Sequence, residues 1–145
     1  MKPNVKKILA QAEHICAQKD IRLTESRRHV LSIIAGSSKP IGAYDILKSL
    51  SQKMDNPKPP TVYRAIEFLQ AQGFIHRIES LNAYVTCDAH HHHTGSQFMV
   101  CDDCGKVTEA HLCDLPTPLL DKTKKENFKL SSWNVELHGL CAGCQ

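Results

Sequence analysis

Two Cys-x-x-Cys pairs constrain this chain more than any other feature. Cys101-Asp102-Asp103-Cys104-Gly105 and Cys141-Ala142-Gly143-Cys144 are separated by 36 residues. Each pair sets two sulfurs on one side of a tight turn, and two such knuckles supply the four thiolates of a tetrahedral Zn²⁺ site. The separation exceeds that of a compact zinc ribbon, so a small element must fold between the pairs. The intervening sequence predicts a short strand from Lys106 to Ala110, a helix from Pro116 to Glu126 and a long strand from Phe128 to Leu137. Two disulfides would require an oxidising compartment, yet the polar start Met1 to Lys7 is followed by no signal-peptide core. A thioredoxin-like redox pair would require a βαβ pattern, which the sequence lacks. Four thiolates leave no open coordination position, so such a zinc holds the fold rather than performing chemistry. The expected setting is a reducing one, the cytoplasm. No apolar run approaches the roughly 18 residues of a membrane span, so no membrane partner is expected.

Charge divides the chain in the same place as the cysteines do. Residues 1–86 hold 13 Lys/Arg against 7 Asp/Glu, whereas residues 87–145 hold 5 Lys, no Arg and 8 Asp/Glu. A basic half can approach polyanions and an acidic half repels them. The expected organisation is a basic domain at 1–86, a joint at 87–96 and a zinc-holding domain at 97–145.

The basic half reads as helices followed by a hairpin. Ile8, Leu9, Ala12, Ile15 and Cys16 share one face of a helix from Val5 to Lys19. Thr24 is placed to cap a second helix with Val30, Leu31, Ile33 and Ile34 inward, stopping at Gly36. A third runs from about Gly42 to Met54 with Tyr44 near its start. After the stiff Asn56-Pro57-Lys58-Pro59-Pro60, Thr61 is expected to cap a fourth helix with Val62, Ala65, Ile66 and Leu69 inward and Gly73 at its end. Two β-rich segments, 74–78 and 83–87, flank the turn Glu79-Ser80-Leu81-Asn82. The outline is that of a winged helix-turn-helix.

In that fold the first turn of the recognition helix reads base edges. With the apolar stripe turned inward, Tyr63 and Arg64 remain outward on the fourth helix. Arg64 can offer two N–H donors to guanine O6 and N7, worth roughly 1–3 kcal/mol of discrimination. Tyr63 and Thr61 suit phosphates or thymine methyls. An ordinary surface Arg and Tyr would fit the periodicity equally; the proline-rich entry and the hairpin after Gly73 favour DNA.

A second ligand set stands at the junction. Cys87 closes the hairpin, just before Asp88-Ala89-His90-His91-His92-His93; His76 lies on the facing strand, and Glu109 follows Cys104 by five residues. Thiolate and imidazole with one carboxylate suit Zn²⁺, whereas His and carboxylate alone would leave Fe²⁺ or Mn²⁺ open. Taken singly, His76 suits a hairpin, Cys87 a small hydrophobe and the His run a solvated linker. Together, between a basic module and a zinc-knuckle module, they favour a metal site. Cys16 and Cys113 have no evident partner.

Several motifs now follow one another in order. Leu23-Thr24-Glu25-Ser26-Arg27, Ala43-Tyr44-Asp45-Ile46-Leu47, Pro59-Pro60-Thr61-Val62-Tyr63-Arg64-Ala65 and Gln72-Gly73-Phe74-Ile75-His76 resemble the ferric uptake regulator family. The His-rich stretch before Cys101 and His138-Gly139-Leu140-Cys141 complete the pattern, which covers almost the whole chain and is most similar to the zinc uptake regulator branch. The resemblance implies an α+β protein: an N-terminal winged helix-turn-helix domain and a small C-terminal α/β dimerisation domain with a four-cysteine zinc site. It implies a homodimeric bacterial repressor that binds pseudo-palindromic double-stranded operator DNA when loaded with metal and silences zinc-uptake genes. Two Zn²⁺ per chain are implied. The structural one falls on Cys101, Cys104, Cys141 and Cys144; the regulatory one falls on His76, Cys87, His93 and Glu109. His93 fits the third position best, with any of His90 to His93 in range. Arg27, Tyr44, Thr61, Tyr63 and Arg64 are the expected DNA contacts. Since the sequence ends at Gln145, no tail-borne metal site is expected.

Three other readings stand beside this one. An iron or peroxide sensor of the same family differs in its metal. A zinc buffer or chaperone would store metal in the His run and show no salt-dependent, sequence-specific DNA binding. An enzyme would need an open zinc with a general base such as Glu109, but no nucleophile, pocket or small-molecule substrate is legible.

Overall fold

A computed structural model describes residues 3–87, 95–110 and 114–145. The chain divides into two compact units, Met1–Asp88 and Ala89–Gln145.

In the first unit, α1 (Pro3–Gln18), α2 (Glu25–Gly36), α3 (Ala43–Leu50) and α4 (Pro59–Ala71) precede a hairpin of β1 (Ile75–Ile78) and β2 (Ala83–Thr86). Each helix turns its apolar stripe to one core: Val5, Leu9 and Ala12 from α1, Val30, Leu31 and Ile34 from α2, Ile46 and Leu50 from α3, and Val62, Ala65, Ile66 and Leu69 from α4. Ile75 and Tyr84 close it from the hairpin. The hairpin is antiparallel, with Ile75 opposite Thr86 and His76 opposite Val85. Ile41 extends it by exchanging two backbone bonds with Tyr84, at 3.1 and 2.9 Å. This is the winged helix-turn-helix that the periodicity predicts.

Several ends are set by local chemistry. Thr24 caps α2, its hydroxyl accepting from the Arg27 N–H at 3.4 Å. Gly73, at φ +76°, closes α4: its N–H reaches the Gln70 carbonyl and the Phe74 N–H the Leu69 carbonyl, the paired bonds of a Schellman ending. Two expectations are corrected. Helix α3 stops at Leu50 rather than near Met54: the Ser51 hydroxyl donates to the Lys48 carbonyl at 2.6 Å and exposed Gln52 and Lys53 follow in tight turns, while Met54 still packs against the core. Thr61 does not cap α4. The helix starts at Pro59 after Lys58, and Thr61 is its third residue, its N–H bonded to the Lys58 carbonyl at 2.9 Å. Prolines break a helix interior but suit its first positions, where the missing N–H would have no partner anyway.

The second unit comprises β3 (Ser96–Cys101), β4 (Val107–Glu109), α5 (Thr117–Lys125) and β5 (Asn134–Gly139). Its sheet runs β4-β3-β5, with β4 antiparallel and β5 parallel to the central β3. Strand β3 has no counterpart in the sequence prediction: its apolar run is short, places Gln97 at a buried position and ends on the first cysteine of a knuckle. The long strand expected from Phe128 contracts to Asn134–Gly139, because that is the stretch in register with β3, from Ser96 opposite Asn134 to Cys101 opposite Gly139. Gly95 stands against Trp133, where any side chain would run into the indole.

Candidate metal centres and nucleic-acid interface

The parallel pairing of β3 with β5 explains how cysteines 36 residues apart meet. Parallel strands end side by side, so the chain leaves both at the same edge, and each exit carries a Cys-x-x-Cys turn. The Asp102 N–H bonds the Gly139 carbonyl at 2.8 Å, tying the two exits together. Within the first turn the Gly105 N–H returns to the Cys101 carbonyl at 3.0 Å, with Gly105 at φ +75°. In the second the Cys144 N–H returns to the Cys141 carbonyl at 2.9 Å.

The four Sγ atoms of Cys101, Cys104, Cys141 and Cys144 lie within 4.8 Å of one another. Those of Cys104 and Cys141 are 3.7 Å apart, against about 3.8 Å for the edge of a tetrahedron with Zn–S bonds of about 2.3 Å. The Cys101 Sγ accepts the Cys141 N–H at 3.3 Å. This bond, then that of the Cys104 N–H, pulls the Cys101 thiol down to about 6. Cys144 is pushed the other way by the Cys141 and Cys104 sulfurs that share its proton. Four sulfurs this close cannot all ionise without a cation among them, and the donor set fits Zn²⁺.

A neighbouring residue, His138, belongs to a motif of the sequence but is given no role there. His138 bridges two carboxylates, with Nε2 3.0 Å from Glu136 and Nδ1 3.5 Å from Asp102. It thereby ties the first knuckle to β5 through side chains. Its place three residues before Cys141 was the available signal.

In the first unit, His76 and Cys87 stand on one face of the hairpin. His76 pairs with Val85, and the Cys87 N–H bonds the Phe74 carbonyl at 3.1 Å, so the two side chains are diagonal neighbours. An imidazole nitrogen and the thiol sulfur lie within 4.8 Å. Both are half-buried. Glu109 belongs to the second unit, at the end of β4 opposite Phe98, also half-buried. His90 to His93, and Cys113, lie outside the described residues.

Of the expected DNA contacts, Tyr44 is 79% and Tyr63 58% exposed. Arg64 is exposed beside Tyr63 in the first turns of α4, and Thr61 is half-buried. Arg27 differs from the rest. Its guanidinium lies 3.8 Å above the centre of the Phe68 ring, and its Nη1 donates to the Arg22 carbonyl at 2.6 Å.

Comparison with known proteins places this geometry in context. The chain is 42% identical over 145 residues to the zinc uptake regulation protein of Escherichia coli K12, covering 99% of this chain and 84% of that one. A zinc uptake regulator solved in complex with zinc and DNA matches at a TM-score of 0.86 with 40% identity, over 98% of this chain and 95% of the other. The holo form of XcZur matches at 0.83 with 37% identity, over 94% and 96%. Residues 18–138 match the model of the ferric uptake regulator family. With its winged helix, its paired knuckles and this match over most of its length, the chain belongs to the ferric uptake regulator family.

Proposed function

We propose that the chain is a zinc-responsive transcriptional repressor, acting in the cytoplasm. Loaded with zinc, it binds pseudo-palindromic operator DNA as a homodimer and silences zinc-uptake genes. The observation that carries this reading is the Cys87 thiol beside His76 on the hairpin of the DNA-binding unit. A thiolate ligand selects Zn²⁺ over Fe²⁺ or Mn²⁺, and so favours a zinc sensor over the iron or peroxide sensors of the family. The similarity to zinc uptake regulators supports the same choice.

Two zinc ions per chain are part of the proposal. Cys101, Cys104, Cys141 and Cys144 hold one, whose contribution is structural because four thiolates fill the shell. His76 and Cys87, with Glu109 and a histidine from 90–93, His93 by preference, hold the other. No enzymatic role is proposed. Residues 87–96 form the joint between a DNA-binding domain at 1–86 and a dimerisation domain at 97–145. Because the second ligand set draws on both sides of that joint, its four side chains restrict the joint when they share one ion. A dimer must hold its two recognition helices about 34–36 Å apart to enter successive major grooves. A restricted joint bears the ordering cost before DNA arrives. Arg64 then offers its two donors to a guanine edge, with Tyr63, Thr61 and Tyr44 on backbone or methyl groups.

The test is zinc stoichiometry beside operator binding, before and after chelation mild enough to spare the thiolate site. Two zincs falling to one, with DNA affinity lost and the dimer intact, is the expected result. One zinc throughout with unchanged DNA binding would overturn the sensing mechanism.

A further inference from the structure

We infer that Arg27 serves operator binding as a positioning residue, holding the recognition helix α4 through the Phe68 ring, and not as a contact to DNA. The inference rests on the DNA-binding reading above.

Arg27 sits in the first turn of α2, where the Thr24 hydroxyl accepts its N–H at 3.4 Å. Its side chain has two internal partners. One edge of the guanidinium donates to the Arg22 carbonyl at 2.6 Å, anchoring it to the segment that leads into α2. Its centre lies 3.8 Å over the Phe68 ring, close enough for the cation to meet the negative face of the π-system. Only Arg combines a cation spread over the ring with a directed edge donor; Lys is a point charge.

Phe68 explains why the contact bears on DNA. It lies four residues after Arg64, so on a helix the two share a stripe one turn apart. Val62, Ala65, Ile66 and Leu69 of α4 are sunk in the core, and Phe68, half-buried on the flank of that stripe, packs against it. That close packing sets the depth and the overall orientation of the helix. A guanidinium set over the Phe68 ring and anchored to another segment adds a directed restraint on the flank of α4 that leads to Arg64. A bidentate guanine contact tolerates errors of only about 0.5 Å or 10–20°, so a small roll at Phe68 displaces Arg64 from its base. Arg27 thereby acts on specificity from a distance.

The experiment uses the full-length zinc-loaded protein and a duplex that the wild type itself selects from a random-sequence DNA pool. Affinity is measured against salt concentration for wild type, Arg27→Ala, Arg27→Lys, Phe68→Leu, Phe68→Tyr and the double variant R27A/F68L, alongside thermal melting. Arg27→Lys and Phe68→Leu retain charge or bulk, so the comparison survives if Arg27→Ala folds poorly. The expected loss for Arg27→Lys and for Phe68→Leu is roughly three- to tenfold, with an unchanged salt slope and weaker base preference. The double variant falls no further than the worse single one, and Phe68→Tyr, which keeps the ring face, binds as wild type. A salt slope about one smaller in Arg27→Ala, with Phe68→Leu binding as wild type, would mean a phosphate contact and overturn the inference. So would wild-type affinity in every variant. If the wild-type protein selects no sequence at all, the repressor reading itself falls.

Discussion

The two units reach stability by different routes. Residues Met1–Asp88 bury apolar side chains from four helices and a hairpin in one continuous core, with Val30, Leu31, Ile46, Leu50 and Leu69 wholly inaccessible. Among the described residues of Ala89–Gln145, only Gln97, Phe98, Val100 and Cys101 are buried, and all four lie on β3. Met99 and Leu137, partners in the β3–β5 register, remain 44% and 55% exposed, and Phe128 is 62% exposed. A unit this small cannot depend on its own apolar burial. The first unit is stable through what it contains; the second is stable through what it binds, which we propose to be zinc and a second copy.

Cutting the metal link of the second unit should give the largest effect. A structural zinc contributes on the order of 10 kcal/mol to folding, so Cys141→Ser should abolish the cooperative melting of residues 89–145. Limited proteolysis should then leave a resistant fragment near residues 1–88; a variant whose second unit stays protected would break the comparison. In the first unit the matching lesion is a cavity. Leu69→Ala should cost about 2–5 kcal/mol in denaturant unfolding and leave zinc content unchanged.

Cys87→Ser tests the joint between these behaviours. Both units should stay folded and dimeric while zinc per chain falls by one. Coupling between effector and ligand sites is typically about 1–3 kcal/mol, so operator affinity in excess zinc should fall roughly 5–150-fold in a gel-shift titration. Retention of a full zinc response would remove Cys87 from the sensor. The smallest effect sharpens the picture of the first unit alone. Thr24→Ala should lower its melting stability by about 0.5–1 kcal/mol, the lower part of the range for a lost cap, because the bond to the Arg27 N–H is long at 3.4 Å.

What was legible in the sequence follows the same division. Helix faces repeat every three to four residues, so Val62, Ala65, Ile66 and Leu69 could be assigned inward from local pattern, and their burial agrees. The knuckles were legible because a turn and two thiols are local too. Strand β3 was not, since its parallel partner β5 lies more than thirty residues further along the chain and its pattern mixes Gln97 with apolar neighbours. The start of α4 was misplaced because proline has opposite meanings at the first and later positions of a helix. Arg27 was assigned by motif, and no local pattern could reveal that its guanidinium rests on Phe68, forty-one residues away.

The parallel alignment of β3 and β5 has a kinetic consequence. Cys101 and Cys104 can capture a metal ion as soon as their own turn forms, but with two thiolates they hold it incompletely. Full coordination waits until the crossover has docked β5, and closing a loop of 36 residues costs about 3 kcal/mol of chain entropy beyond a fixed term. Metal capture and chain closure therefore finish together. With zinc on the four cysteines as proposed, a nascent protein starved of zinc would stall with the second unit open, so ion supply would set how much competent repressor is made before it sets how much is switched on.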